Sequence, residues 1–531
     1  MAGVDGSVPA LTERARSLEQ LATRSFDLLV IGGGIVGAAT AAHAAREGLV
    51  VALVDAGDFG SGTSSASSKL IHGGLRYLRL GDVRLVREAH HERRTLSHVV
   101  APHLVHRLPF LLPLYRGGPF RPAFVQSGIL LYSALARSRL NWLVAPERAR
   151  GLVPALQTEQ LRSCALYADA WTDDARLCLA NVRAAAEHGA TVVNRAEVVA
   201  LRRTSHGLVG ADVDVDGSTV AVTARVIVNA AGPWVDAVRR LEDARAGTSV
   251  RLSKGVHALV AGGGDWTAAL TIPQDDVRVT FAVPWYGSLL LGTTDTDYEG
   301  DPAAVRAELA ELEQILAEAA VALLDLPTDP SQVAASYAGL RVLPAGDGRT
   351  ASARRETVFS LGSGGMLSVA GGKLTTYRRI ALEALERIRG ELHLRSVDTR
   401  PWPLPGATGA VRLPLRLEPE VATHLAQLYG SLAAEVLAPA LEDPSLLERL
   451  HPGGPDIAAQ ALYAVTHEWA GTAEDILRRR TTVALRGLAD EQALARAQLF
   501  LDRDAVEASG SGNGAGTRAR PPPGDLTPSG P

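Results

Sequence analysis

The sequence predicts an α/β protein with a parallel sheet, an inserted β-rich domain and a C-terminal α-helical domain. A strand-like run from Asp27 to Ile31 leads into a glycine turn, an alanine-rich helix and a second apolar run that ends at Asp55. Strands that are buried on both faces have such continuous apolar sequences. Short strand-like segments fill 256–292, and 419–508 consists almost entirely of helix-forming residues.

Composition excludes several classes of protein. The chain has 531 residues, a formal net charge of −4, 46% hydrophobic residues and 21% charged residues, which allows a large core and argues against a nucleic-acid binder or a disordered chain. Two cysteines cannot form a disulfide framework. No secretory signal and no apolar run of spanning length is visible, so we expect a cytoplasmic protein that is soluble or lies on a membrane surface.

The domain boundaries follow from changes in composition. We expect an N-terminal extension (1–25), a large α/β region (26–395) with a β-rich domain interleaved at roughly 100–160 and 250–330, and a linker (396–418). A helical cap domain (419–508) and a disordered tail rich in Gly, Ser and Pro (509–531) follow.

A glycine motif follows the first predicted strand. Gly32, Gly34 and Gly37 have the GxGxxG spacing that makes a tight turn, lets the backbone approach a pyrophosphate and packs the helix on the strand. Asp55 ends the second strand, where a carboxylate accepts hydrogen bonds from ribose hydroxyls. This pattern predicts a dinucleotide site and leaves FAD and NAD as alternatives.

Two further segments favour a flavin. A hydroxyl-rich loop, Ser61 to Lys69, runs directly into His72, Gly73 and Arg76, where an NAD domain would continue with its next helix and strand. Gly372 and Lys373 begin a helix whose N-terminal N–H groups and dipole suit a site of developing negative charge. A reduced flavin develops such charge at its N1 and O2 edge.

Several longer strings, taken in order, resemble the FAD-dependent, quinone-linked glycerol-3-phosphate dehydrogenases. They are SSASSKLIHGGLRYL, WTDDARL, NAAGPWVD, LLGTTDTDYEGDP, YAGLR and GGKLTTYR, followed by HEWAGTAEDILRRRT in the part that resembles the cap domain of that family. The resemblance implies a glutathione-reductase-like FAD-binding Rossmann domain with an inserted substrate domain. It also implies hydride transfer from C2 of sn-glycerol 3-phosphate to flavin N5, dihydroxyacetone phosphate as the product, and a membrane quinone as the electron acceptor.

The glycine motif, the chemistry of the side chains and the resemblance together give the candidate site residues. The catalytic candidates are His257, Lys373, Arg341, Arg76 and Tyr77, and the cofactor-binding candidates are Gly32, Gly34, Gly37, Asp55, Thr63, Ser64, Ser68, Lys69, His72, Gly73, Gly232, Gly372, Lys373, Leu374 and Thr375. A planar guanidinium suits a phosphate clamp, for which Arg341 is the first choice and Arg76 the second. We expect His257 to be the base that takes the C2 hydroxyl proton, with Lys373 as the alternative.

An acid-free stretch from Arg93 to Pro146 mixes arginines with apolar clusters. It predicts either a membrane-facing patch for anionic lipid, with Tyr132 and Trp142 entering the interface, or a basic surface of the substrate domain. The first alternative places the protein on the inner face of the plasma membrane. A homodimer is also possible from the sequence.

Other residue patterns indicate structural roles. His90, His91, His98, His103 and His106 are expected at surfaces or interfaces, no spacing suggests a metal site, and Asp173 and Asp174 are expected to cap the helix that follows them. The chain contains only three lysines, Lys69, Lys254 and Lys373, beside 51 arginines. Their positions in or near the site motifs suggest that each is kept where a compact ammonium is needed.

Three other functions compete with this prediction. An oxidase of the same fold would pass electrons to O2, and a related flavin amine or amino-acid oxidase would need a carboxylate clamp. A flavin-binding regulator without turnover would not need Arg76, His257, Arg341 and Lys373 together.

Overall fold

The computed structural model describes residues 10–74, 82–118, 122–136, 142–275, 278–346 and 357–511. Its strands, in chain order, are β1 (Ser25–Ile31), β2 (Val51–Val54), β3 (Leu70–Ile71), β4 (Val105–Tyr115), β5 (Trp142–Val144), β6 (Leu161–Thr172), β7 (Thr191–Val193), β8 (Glu197–Thr204), β9 (Gly207–Val215), β10 (Ser218–Asn229), β11 (Val250–Ala261), β12 (Ala269–Pro273), β13 (Val279–Trp285), β14 (Ser288–Gly292), β15 (Thr296–Tyr298), β16 (Ala335–Pro344), β17 (Thr357–Leu361) and β18 (Leu367–Gly371).

The α-helices are α1 (Ala10–Thr23), α2 (Ile35–Arg46), α3 (Val83–Thr95), α4 (Pro122–Ala136), α5 (Pro146–Leu152), α6 (Asp174–Glu187), α7 (Val235–Glu242), α8 (Leu309–Ala320), α9 (Tyr377–Arg387), α10 (Pro419–Tyr429), α11 (Ala433–Leu437), α12 (Ala458–His467), α13 (Ala473–Asp475) and α14 (Glu491–Ser511). A π-helical segment, Ile476–Arg480, continues α13.

The first sheet has the parallel core that the glycine motif predicts, and β17, β8 and β9 add antiparallel strands to it. Its strands lie in the order β17-β18-β10-β1-β2-β7, and β1 pairs in parallel with both β10 and β2. The interior of β1 is fully buried because α2 covers one face of the sheet. Alanines such as Ala38, Ala41 and Ala42 let α2 pack closely against this sheet and against α6.

The second sheet is mixed and carries the β-rich domain. Its strands lie in the order β15-β11-β14-β13-β12-β4-β6-β3, with β16 pairing antiparallel to β11 and β5 to β6. Strands β3, β6 and β16 lie outside the two ranges predicted for the insertion. The ten-residue register between β11 and β16 places Ser253 opposite Arg341 and His257 opposite Tyr337.

The C-terminal part is helical and has two apolar clusters of its own. One cluster contains Leu425, Tyr429 and Leu437, and the other contains Ile476, Leu477 and Val483. The predicted α/β fold with a β-rich insertion and a helical C-terminal domain is therefore confirmed. At the other end of the chain, α1 packs on the first sheet through the fully buried Leu21.

At Arg93 and Tyr132 of the acid-free stretch, and at His90 just before it, the structure differs from the prediction. The guanidinium of Arg93 is buried in an ion pair with Asp169, and Tyr132 is buried with its hydroxyl 2.9 Å from the same carboxylate, so neither faces a membrane. His90 is also fully buried, against the Tyr132 ring, rather than at a surface.

Within the described residues no helix is long and apolar enough to cross a bilayer, and no group of side chains could hold a metal ion. Helix α14 continues through Ser511, so the first residues of the predicted disordered tail are helical, and 512–531 lie outside the described residues.

Candidate active site

A cavity of about 1260 Å³ lies between the carboxyl edge of the first sheet and the strands β11 and β16 of the second. The ends of β1, β2, β10 and β18 reach it through Ile31, Asp55, Ala230 and Ala370. Ligands of open parallel sheets bind at this edge, outside the carboxyl ends of the strands.

The glycine turn at the end of β1 has the shape that a pyrophosphate site needs. Gly32 has a φ of +103°, and a Cβ there would lie 2.6 Å from the carbonyl oxygen of Ala230. A Cβ on Gly37 would lie 1.9 Å from the carbonyl oxygen of Gly32, so the helix can pack on the turn only with glycine. Two of the three motif positions thus exclude any side chain.

The Ser-rich loop folds over this turn. The hydroxyl of Ser64 accepts a hydrogen bond of 2.9 Å from the Ile35 N–H, which is one of the unsatisfied donors at the start of α2. Thr63 donates to the carbonyl oxygen of Leu340 on β16, at 2.7 Å. The loop therefore links the glycine turn to the strand that carries Arg341.

Asp55 faces the cavity at the end of β2. Its two carboxylate oxygens accept hydrogen bonds from the N–H groups of Gly33, at 2.6 Å, and Gly57, at 2.8 Å. Burial raises the pKa of Asp55 to about 6, although both backbone bonds act in the opposite direction. Its charge is thus sensitive to whatever else donates to the carboxylate.

His257 is buried on β11 and lines the same cavity. Its Nε2 lies 2.9 Å from the hydroxyl of Ser68, and its ring stacks on Tyr337 at a centroid distance of 4.9 Å. Among the described residues, Nδ1 has no hydrogen-bond partner. Burial, together with the charges of Arg341 and Lys69, holds the pKa of His257 well below its usual range, so the imidazole is neutral at neutral pH.

Arg341 lies beside His257 and is held by the protein itself. Its terminal nitrogens donate to Thr293 Oγ1 at 3.0 Å, to the Thr294 carbonyl at 2.9 Å, to Ser253 Oγ at 3.2 Å and to Asp295 at 3.3 Å. A Cβ on Gly255 would lie 2.5 Å from this guanidinium. The donors of the Arg341 guanidinium are therefore engaged by these protein oxygens. Arg341 contributes its positive charge to the cavity.

The helix start at Lys373 forms the opposite wall. Gly371 and Gly372 have φ values of +78° and +85°, and Lys373, Leu374 and Thr375 all line the cavity. The hydroxyl of Thr375 accepts a hydrogen bond from the His72 N–H at 3.1 Å, which fixes the end of the Ser-rich segment on this helix.

Comparison with known proteins identifies the family. Residues 27–378 match the family model for FAD dependent oxidoreductases, and 397–502 match that for the C-terminal domain of alpha-glycerophosphate oxidase. The chain is 38% identical over 490 residues to the glycerol-3-phosphate dehydrogenase of Mycobacterium leprae, covering 89% of this chain and 83% of the relative. The chain belongs to the FAD-dependent glycerol-3-phosphate dehydrogenase family.

Two further proteins are similar to this member of the glycerol-3-phosphate dehydrogenase family. The D-erythritol 1-phosphate dehydrogenase of Brucella abortus is 37% identical over 478 residues, covering 86% of this chain and 94% of the relative. The crystal structure of the glycerol-3-phosphate dehydrogenase from Bacillus halodurans complexed with FAD superimposes with a TM-score of 0.75 at 29% identity, covering 94% of this chain and 96% of that one. The predicted family is confirmed.

The cofactor of this dehydrogenase family, FAD, fits the residues of the cavity. The glycine turn leaves no room for side chains beside the backbone, as a pyrophosphate requires, and two backbone N–H groups hold the Asp55 carboxylate at the end of β2, where the motif predicts a ribose acceptor. At the far end Lys373 and the N–H groups of a helix start supply positive charge for a flavin. The predicted cofactor, FAD, is confirmed.

Most of the residues predicted from the resemblance line this one cavity. These are Gly32, Gly34, Asp55, Thr63, Ser64, Ser68, His72, Gly232, His257, Arg341, Gly372, Lys373, Leu374 and Thr375. Gly37 lies behind the turn, and the N–H of Gly73 donates to Asp169 away from the cavity. Arg76 and Tyr77 lie outside the described residues.

Lys69 does not line the cavity either. Its ammonium is fully buried 2.5 Å from Asp174, between the rings of Trp285 and Tyr337. Asp174 therefore does more than cap a helix, whereas Asp173 does act as the N-cap of α6 by accepting from the Arg176 N–H. Lys254 likewise forms ion pairs with Glu308 and Glu311, which leaves Lys373 as the lysine of the cavity.

One wall of the cavity contains residues that the sequence motifs did not predict. Arg195, Asp58 and the C-terminal residues Thr472, Asp475, Arg478 and Arg479 line the end at which Asp55 lies. The only signal was the string HEWAGTAEDILRRRT, which the resemblance placed in the cap domain without a role in the site.

Proposed function

We propose that this protein oxidises the secondary alcohol of glycerol 3-phosphate to the ketone, dihydroxyacetone phosphate, and passes the electrons to a membrane quinone. The observation that carries the proposal is the juxtaposition of a neutral buried histidine, His257, with the cationic groups of Arg341 and Lys373 on the cavity that fits FAD. The names of the relatives support the substrate.

His257 is the proposed base. A base must be free of its proton before the reaction, and the lowered pKa of His257 keeps its imidazole neutral through the physiological range. The Ser68 hydroxyl at Nε2 and the Tyr337 ring hold the imidazole in place. The alcohol proton moves to this imidazole, while FAD, when bound, supplies the two-electron acceptor for the hydride at C2.

Arg341 and Lys373 are proposed to stabilise the negative charges of the substrate and of the reacting groups. The substrate carries a phosphate dianion, and negative charge develops on the alcohol oxygen as its proton leaves. Because the guanidinium of Arg341 is fixed by protein acceptors, its proposed role is to hold the cavity at a positive potential, which attracts the dianion. Lys373 is proposed to stabilise the alkoxide and the reduced cofactor.

The substrate is tested by anaerobic bleaching of the purified holoprotein. Addition of glycerol 3-phosphate is expected to remove the yellow flavin band, and His257→Asn is expected to slow bleaching by roughly a hundredfold or more without a matching loss of substrate binding. Erythritol 1-phosphate, one carbon longer, is the second compound, because a relative carries its name. Persistence of the band with both compounds would refute the proposal.

Quinone is the proposed electron acceptor, and O2 is the alternative because the C-terminal family model is named after an oxidase. We expect turnover in the presence of a soluble quinone analogue to exceed turnover in air by a large factor, with little hydrogen peroxide. Peroxide released in proportion to the substrate consumed would assign the protein as an oxidase instead.

A surface for membrane contact is proposed on α4. The helix carries no charged residue, Leu130 is 57% exposed and Leu131 is 45% exposed, and Val83 at the start of the adjacent α3 is 41% exposed. Exposed aliphatic side chains on an uncharged surface helix suit insertion at the membrane interface. We place this face on the inner leaflet of the plasma membrane.

Vesicle flotation tests this surface. Leu130→Ser with Leu131→Ser is expected to reduce binding to anionic phospholipid vesicles by roughly tenfold. Leu441→Ser is the matched control, since Leu441 is also 57% exposed but lies in the C-terminal domain. Equal binding by the wild-type protein and the double variant would reject α4 as the membrane-facing element.

A further inference from the structure

The C-terminal domain reaches the cofactor cavity at the end marked by Asp55. Thr472, Asp475, Arg478 and Arg479 line the same part of the cavity as Gly57 and Val198. Asp55 fixes this end as the adenosine side of the site, because its carboxylate is the ribose acceptor. The C-terminal helical domain therefore supplies residues that line the cofactor site.

We propose that Arg478 binds the adenosine half of FAD. Its side chain is 39% exposed at the cavity, and its contact with Glu474 is a long one of 3.8 Å between two exposed groups. Such a pair holds the guanidinium only weakly. A planar guanidinium can lie against an aromatic base and also attract a diphosphate, which makes adenosine diphosphate the ligand chemistry that suits this residue.

The two residues that follow Arg478 give it a rigid base. Arg480 is fully buried and donates to Asp58, at 2.8 Å for the bond to Oδ1, and to the Glu468 carbonyl at 2.6 Å. Arg479 donates to the other oxygen of Asp58, at 2.5 Å, and to Asp475. Although burial alone would raise it, these two guanidinium groups lower the pKa of Asp58 to about 2.

A second ion pair joins the same elements. Arg176 on α6 makes a bidentate contact with Glu468, at 2.6 and 2.8 Å, and both side chains are buried. Bidentate pairs of this kind define geometry as well as supplying energy. The segment 468–480 is therefore held on the cofactor domain by four buried charged residues of its own. Of the two arginines of this segment that line the cavity, Arg479 is in buried ion pairs and Arg478 is the exposed one.

Release of FAD from the holoprotein tests this role. After dilution, the fluorescence of free FAD is recorded over time for the wild type, for Arg478→Ala and for Arg496→Ala. Arg496 is the matched control, because it lies in the same domain and is 35% exposed but does not line the cavity. We expect Arg478→Ala to release FAD about five- to twentyfold faster, the range of a cation–aromatic contact, and Arg496→Ala to match the wild type.

Two further readouts separate cofactor binding from damage to the fold. The visible spectrum of the bound flavin and the melting temperature of the FAD-free chain are both expected to be unchanged in Arg478→Ala. An unchanged release rate would overturn the proposal. Equal acceleration by Arg496→Ala, or faster release together with a lower melting temperature of the FAD-free chain, would also overturn it, since either result indicates a general loss of structure.

Discussion

Asp55 and His257 show how burial sets the charge of single residues in this cavity. Burial raises the pKa of Asp55 to about 6 and lowers that of His257 well below 6.5, so it shifts each residue towards its neutral form while leaving Asp55 mostly ionised at neutral pH. The identity of both residues was readable from sequence motifs. Their surroundings were not, because Ser68, Arg341 and Gly33 come together only through pairing of distant strands.

The pH dependence of FAD binding follows from Asp55. Ribose hydroxyls donate to the ionised carboxylate, so binding favours the charged form and lowers its pKa. We expect FAD affinity to be constant above about pH 7 and to fall as the pH drops through 6, by up to roughly tenfold per pH unit. Titration of the FAD-free chain between pH 5 and 8 measures this. Asp55→Asn should bind weakly with a flat profile, and a sloping profile in that variant would assign the dependence to another group.

The loss of activity at low pH is expected to depend on His257 and Arg341. A base works when unprotonated, so the lowered pKa of His257 predicts that protonation of this residue reduces kcat/KM only well below pH 6.5, in addition to the fall that protonation of the substrate phosphate causes at about pH 6. Arg341→Gln removes a charge that lowers the pKa of His257. The fall in kcat/KM that this residue causes should therefore begin at a higher pH. Arg240→Gln, at an exposed position on α7, is the control. A fall in kcat/KM that begins at the same pH in Arg341→Gln would contradict His257 as the base.

At the scale of elements, the Ser-rich loop is fixed by one buried ion pair. Lys69 and Asp174 are both fully buried, and the same carboxylate also accepts from the N–H and hydroxyl of Ser67. The loop therefore binds the start of α6 at one end and the glycine turn, through Ser64, at the other. The sequence predicted that Lys69 binds the cofactor, whereas its ammonium pairs with Asp174, since a lysine in a polar motif gives no sign of which way its side chain points.

Breaking this pair is expected to destabilise the fold. Asp174→Asn leaves the Lys69 ammonium buried without its counterion, and we expect a loss of roughly 3–5 kcal/mol in the free energy of unfolding. Chemical denaturation of the FAD-free chain measures it. Glu383→Gln, which breaks an exposed i,i+4 pair with Arg387, should change stability by only about 0.5 kcal/mol or less. Similar losses of unfolding free energy in the two variants would show that the buried pair contributes no more to stability than the exposed pair.

At the scale of the whole molecule, the cofactor site joins parts that sequence alone kept separate. The parallel sheet, the β-rich insertion and the helical domain were each predictable from periodicity and from the resemblance. The contact of 472–479 with the cavity was not, because nothing in a run of arginines specifies Asp58, which lies more than 400 positions earlier, as the partner of Arg479 and Arg480.

Removal of FAD is therefore expected to reduce hydrogen-exchange protection in both the parallel-sheet domain and the C-terminal domain. We expect the glycine turn and the segment 471–481 to lose hydrogen-exchange protection together when FAD is removed, since both line one cavity. Helix α10, which packs in the C-terminal core, is the internal reference and should not change. Loss of protection at the glycine turn alone would show that the helical domain does not sense the cofactor.

The span of the cavity lining, from Ile31 to Arg479, has a consequence for how the protein is made. During translation the glycine turn emerges early, but the wall that closes the adenosine side emerges only near the end of synthesis. A nascent chain can pair β1 with β2 long before it can enclose a cofactor, whereas β18 completes the sheet only at Gly371. We therefore expect loading with FAD to be a late event, and chains that terminate before residue 479 to have a site that is open on the adenosine side.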